Sequence, residues 1–188
     1  IMNKTFKTLA VAALGTTTLL GSVSCEHKDC PMQAKVDEYA LVELKSALVN
    51  NLTENEKQIV NIFFEIGQIA DNLFWKQTFG DKAALEAIQD EHAREFAMIQ
   101  YGAWDRLDNN KPFLPGYGEK PATCHYYPQD ITLEEFQAFN DPNKSSWYTV
   151  LRRNEDGSLK SVWYHEEYAE EVNRMCELLQ QAADLAED

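Results

Sequence analysis

Residues 101–116 read YGAWDRLDNNKPFLPG. The polar half of this stretch is turn chemistry. Asp105, Asp108, Asn109, Asn110, Pro112, Pro115 and Gly116 supply side chains that bond their own backbone, a fixed φ, or freedom at positive φ. Tyr101, Trp104, Leu107 and Phe113 are threaded through it, more apolar surface than a solvated loop needs. Two readings stay open. Trp104, Asp105 and Arg106 either line a cleft, with Arg106 meeting a carboxylate and Trp104 giving an apolar wall, or they hold the corner together. In the second reading Trp104 plugs the preceding helices while Asp105 and Arg106 hydrogen-bond the loop's own backbone. A position beside two amphipathic helices favours packing.

Upstream, Thr53 and Glu56 form a capping-box pair that satisfies orphan amides at a helix start. Ile59, Ile62, Phe63, Ile66, Ile69, Ala70, Leu73 and Phe74 then recur at helical spacing, which predicts a helix over 54–78. Asp81 is read as the cap of a second helix, 82–101, carrying Leu85, Ile88, His92, Phe96 and Ile99 on one face, and the two helices are expected to pack together. Partial alternation in EYALVELKSAL (38–48) predicts a short strand. Downstream, Thr132 and Glu135 make a second capping box. SSWYTVLRR and SLKSVWYHE flank NEDG as a hairpin about 154–157. A long acidic helix, about 165–187, is expected to bury Tyr168, Val172, Met175, Leu179 and Ala182. The fold class is α+β, mainly helical, with amphipathic helices packed against a hairpin and a short strand.

The chain has 188 residues, 17 basic against 31 acidic, a net charge of −14, and 44% hydrophobic residues. That is enough apolar content for a core, and an acidic surface that repels phosphate backbones excludes nucleic acid as a partner. Residues 1–25 read as an export leader: Lys4 and Lys7, the apolar LAVAALGTTTLLG, then SVSC. The leader is of the lipoprotein type, with Cys25 as the lipidated first residue. Ser22 stands where such leaders usually carry Leu, and EHKD after Cys25 is similar to the acidic tags of surface lipoproteins. Removing residues 1–24 takes two Lys and no acid, so the mature charge is 15 − 31 = −16. Localisation is expected to be the periplasm or outer-membrane surface, with membrane contact only through a lipid anchor. Residues 26–37 read as a tether and 38–188 as one unit. The final QQAADLAED stops inside a helical pattern, so the chain is read as the amino-terminal piece of something longer.

Catalytic constellations are incomplete. His165-Glu166 offers the start of a zinc-peptidase helix, but Ala169 and Glu170 stand where the second His belongs. His92 reads as a satisfied, half-buried histidine, while His125, between Cys124 and Tyr126, sits in a loop where a site remains open. No Gly-x-Ser-x-Gly elbow or phosphate loop occurs. Cys30, Cys124 and Cys176 fit no zinc spacing and read as unpaired or buried thiols.

LTENEKQIVNIFFEIGQIADNLFWKQTFGDK, QYGAWDRLDNNKPF, KPATCHYYPQDITLEEFQAF and SSWYTVLRRNEDGSLKSVWYHEEYAEEVNRMCELLQQAADLAED together resemble the amino-terminal lobe of bacterial, Bacteroides-type dipeptidyl-peptidase III-like proteins. The resemblance covers roughly residues 36–188. It implies a two-lobed zinc metallopeptidase that releases dipeptides from peptide amino ends, with peptide substrates and the remaining lobe as partners. The family's zinc motif, His-Glu with a second His five positions after the first, matches no position here. No catalytic or metal residue is therefore carried over, and zinc is expected in the full-length family member but not in this fragment. Trp104, Asp105 and Arg106 are the candidate substrate-binding residues. The alternative is a non-catalytic helical surface lipoprotein that binds peptide or a partner protein.

Overall fold

Thr53 opens the principal helix, α2 (Glu54–Thr78). Its hydroxyl accepts from the Glu56 amide and the Glu56 carboxylate accepts from the Thr53 amide, so the capping box is complete. The structure is a computed structural model that describes residues 31–43 and 45–187. The export leader, Cys25, residues 26–30 of the expected tether, and Cys30 lie outside the described residues. α2 ends where the Phe79 and Gly80 amides both donate to the Trp75 carbonyl, with Gly80 at φ 100°. It follows a short helix α1 (Pro31–Asp37) and a 3₁₀ turn, Ala47–Asn51, capped by Ser46.

The strand expected over 38–48 is not formed. Leu41 and Val42 are exposed, and no described segment lies beside them to complete a ladder. An apolar–polar alternation without a pairing edge has nowhere to place its backbone groups. The single helix expected over 82–101 is likewise two pieces. Asp81 caps a 3₁₀ turn, Lys82–Ala87, and Asp90 caps α3 (Glu91–Gln100) by accepting from the His92 and Ala93 amides. Asp side chains compete for backbone amides inside a helix and restart it instead.

α2 runs antiparallel to the last helix, α6 (Ala169–Leu185). Asn55 donates to Glu187, Arg174 pairs with Glu65 at 2.6 Å, and Lys76 pairs with Glu171. This corrects the expected pairing of α2 with the next helix. α3 packs chiefly on α1, and shares a core with α2 only at its last turn. The acidic helix is also interrupted. α5 (Tyr164–Glu167) stops at Tyr168, with φ −116° and ψ 41°, before α6 begins. Within α6 Leu178 is 1% exposed and Leu179 is 47% exposed, which corrects the placing of Leu179 on the inner face.

Between the helices lie β1 (Trp104–Asp105) paired with β2 (Lys111–Pro112), the helix α4 (Leu133–Ala138), and the hairpin β3 (Thr149–Arg153) and β4 (Leu159–Trp163). The hairpin register runs from Thr149 opposite Trp163 to Arg153 opposite Leu159. Gly157, at φ 83°, turns the connection. Only half of the second capping box forms. Thr132 accepts from the Glu135 amide, but the Glu135 carboxylate is drawn to Arg153 at 2.7 Å.

The phase of α6 has a direct test. Leu178→Ala should cost about 2–5 kcal/mol of stability, and Leu179→Ala within about 0.5 kcal/mol. Urea unfolding midpoints of the two variants check the order.

Candidate functional site

The aromatic corner is built from the end of α3 outward. Tyr101 adopts the left-handed conformation, φ 56°, and closes α3, while the Gly102 amide donates to the Ala97 carbonyl. Gly102 has φ 144°, and a Cβ there would meet the Phe79 ring at 2.9 Å, so the position requires glycine. The Tyr101 hydroxyl donates to Asp71 at 2.6 Å. That bond, which holds the proton, and burial raise its pKa above the usual phenol value. The chain then forms the β1–β2 ladder, with Asn109 and Asn110 both at positive φ in the connection. This ladder was not anticipated from sequence, although adjacent Asn residues are the non-glycine residues that tolerate that geometry best.

Trp104 is buried. Its indole N–H donates to the Gly118 carbonyl at 2.9 Å, and its ring meets Phe79 and Tyr117 edge-on at 6.0 and 5.9 Å. It shares one core with Trp75 and Phe79 from the end of α2 and Ala93 and Ala97 from α3. Asp105 is buried too, and accepts from Lys35 at 2.9 Å and the Leu107 amide at 3.0 Å. Burial pushes the Asp105 carboxyl up, but the Lys35 ammonium and the amide outweigh it, and the net shift is downward. Arg106 is exposed, yet its Nε donates to Gln100 Oε1 and its Nη2 to the Ile99 carbonyl. Gln100, buried, in turn donates to the Tyr39 hydroxyl at 2.7 Å. All three candidate residues thus have internal partners. Lys35, 70 residues from Asp105, was not legible as a participant because nothing local marks it.

A groove of about 780 Å³ lies between the end of α2 and the β3–β4 hairpin, lined by Lys76, Asp81, His125, Tyr127, Arg152 and Glu167 among others. The His125 amide donates to the Gln77 carbonyl, and its Nε2 lies 2.9 Å from the Phe79 carbonyl, which fixes Nε2 as a donor. Its ring rests on Gly80. Arg152 pairs with Glu167 at 2.7 Å and donates to the His125 carbonyl. Arg153 holds Asp130 and Glu135, keeping both carboxyls below their ordinary range. The cations that line the groove, Lys76, Arg152 and Arg153, are therefore internally compensated.

The described residues do not fit a zinc centre. No group of three or more His, Cys, Asp or Glu among them could hold a metal. His165 stands at the junction of β4 and α5, stacked on Trp163. His92 is half-buried, but its Nδ1 has no hydrogen-bond partner among the described residues, which corrects the reading of it as satisfied. Cys124 and Cys176 are free thiols.

No protein-family model matches the chain. A curated protein, Nudix hydrolase 3 of Arabidopsis thaliana, is 21% identical over 180 residues, covering 73% of this chain and 23% of that protein. Two solved structures match over somewhat more of the chain. DPP III from Caldithrix abyssi superposes with a TM-score of 0.74 at 28% identity, covering 82% of this chain and 32% of that one. Dipeptidyl-peptidase III from Corallococcus sp. strain EGB gives 0.75 at 25% identity, covering 83% and 32%. The fold is thus that of one region of a peptidase. The chain is a dipeptidyl-peptidase III-like lobe, and it spans about a third of the length of those structures.

Trp104→Ala should cost about 3–5 kcal/mol and lower the thermal midpoint sharply, with Arg106→Ala costing less. The depressed Asp105 carboxyl contributes stability above its ordinary pKa, lost as pH falls through the lower folded value. Asp105→Asn should therefore flatten the acid limb of a midpoint-versus-pH curve below about pH 4.

Proposed function

We propose that this chain is the amino-terminal part of an exported, zinc-dependent dipeptidyl-peptidase that releases dipeptides from peptide amino ends, its metal motif lying outside these residues. The observation that carries the reading is the likeness to two bacterial dipeptidyl-peptidase III structures over more than four-fifths of the chain. In this reading peptides are the substrates, and the lobe supplies one wall of the cleft in which they lie. Trp104, Asp105 and Arg106 act as positioning residues for that wall. The support is their internal bonding: Trp104 to the Gly118 carbonyl, Asp105 to Lys35, Arg106 to Gln100. Cys25 carries the lipid anchor, and the protein sits at the periplasmic or outer-membrane surface. No helix among the described residues is long and apolar enough to cross a membrane.

The experiment compares residues 26–188 with the polypeptide extended past Asp188. The short form should take up no stoichiometric zinc and release no dipeptides. The extended form should release them from small peptides, and a chelator should stop it. A coding sequence that lacks any His-Glu zinc motif downstream of Asp188 contradicts the proposal. For the anchor, Cys25→Ala should move the protein from the membrane fraction to the soluble one.

A further inference from the structure

α2 has two apolar sides. At about 100° per residue, Ile59, Ile62, Ile66, Ile69 and Leu73 share one side, and all five are at least half-buried or partly covered. Val60, Phe63, Phe64, Gly67 and Phe74 share another. There Phe63 is 53% and Phe64 65% exposed, and among the described residues only Phe74 meets a neighbour ring, Tyr101 at 4.8 Å. A helix that is apolar on two sides is built to be covered on both. Gly67 lies at the centre of the open side, in the interior of a 25-residue helix, with nothing among the described residues within 4 Å of where its Cβ would be. Glycine is unfavourable in a helix interior, and no described neighbour requires its absence of a side chain. Its small size leaves room for the close approach of a backbone packing across it.

We infer that the Val60–Phe74 side of α2 is a docking face for an apolar helix that crosses at Gly67, supplied by the portion of a dipeptidyl-peptidase III-type polypeptide that lies beyond the stretch matched here. The inference rests on the proposed function. The solved relatives are about three times as long as the matched stretch, so most of such a protein is available to pack on this lobe. A second copy is disfavoured, because two surfaces of net charge −14, with Glu56 and Asp71 on this same side, one turn from Val60 and Gly67, repel. The open apolar part of this side, Val60, Phe63 and Phe64 ahead of Gly67, has the character of an interaction site.

The test has two arms. In the chain alone, Gly67→Ala should raise the thermal midpoint by about 2–4 °C, and Phe64→Asp should leave it unchanged. A fall with Gly67→Ala would mean that the glycine is needed by this lobe itself and overturns the inference. In the second arm, the chain alone is compared with the polypeptide extended past Asp188. The extension should slow hydrogen exchange of amides 60–74, and Gly67→Leu or Phe64→Asp should reduce that protection at least about tenfold. Added protection that falls elsewhere, or none at amides 60–74, overturns the docking face. So does dimerisation of the chain alone through Phe64. Dipeptide release by the extended polypeptide is read independently, so the proposed function can stand or fall apart from this face.

Discussion

The last turn of α2, Trp75 to Gly80, is the point on which the described structure depends. Trp75 is 2% exposed and meets Phe79 edge-on, and Phe79 carries the contact on to Trp104 and Tyr117. The same turn exposes carbonyls that the helix cannot satisfy. The His125 amide takes the Gln77 carbonyl and its ring takes the Phe79 carbonyl. Unsatisfied C-terminal carbonyls of a helix must find donors when buried, and here the donors come from the segment leading to the hairpin. From there the Leu151 amide donates to the Tyr126 carbonyl, joining β3 to that segment. Lys76 adds the pairing with Glu171 of α6. One helix end thus ties the aromatic corner, the hairpin and the last helix together.

Elements with strong local chemistry were legible in the sequence. The Thr53–Glu56 box and the apolar repeat set α2 at 54–78, and NEDG between β-rich runs set the hairpin. The failures share a physical cause: periodicity does not show which of two competing local bonds wins. Asp90 restarted a helix that apolar spacing carried through, and Tyr168 broke another. The stretch 38–48 alternates suitably, but strand formation depends on a partner that is not there among the described residues. The candidate site was legible in its residues and not in its partners. Trp104, Asp105 and Arg106 stood out by type, whereas Lys35, Gln100, Gly118 and Asp71 became visible only once the chain was folded.

The lobe's exposed surface fits a part of a larger protein. Trp147 is 89% exposed and Tyr148 lies beside it, at the opposite end of the hairpin from Gly157. Phe63 and Phe64 project from α2. Scattered apolar residues on a surface are ordinary, but aromatic residues in these numbers belong to surfaces that are covered. The compensated groove beside His125 tells the complementary story: its cations are already paired, so its chemistry serves the lobe's own architecture.

Native-state hydrogen exchange measures the central claim most directly. If the α2 terminus joins the parts into one cooperative unit, the amides of Gly80, Gly102, His125 and Leu151 should exchange with a common free energy of opening, equal to that of global unfolding. If His125 and Leu151 exchange through a lower-energy opening while Gly80 and Gly102 remain protected, the hairpin is a separate unit and the account is contradicted.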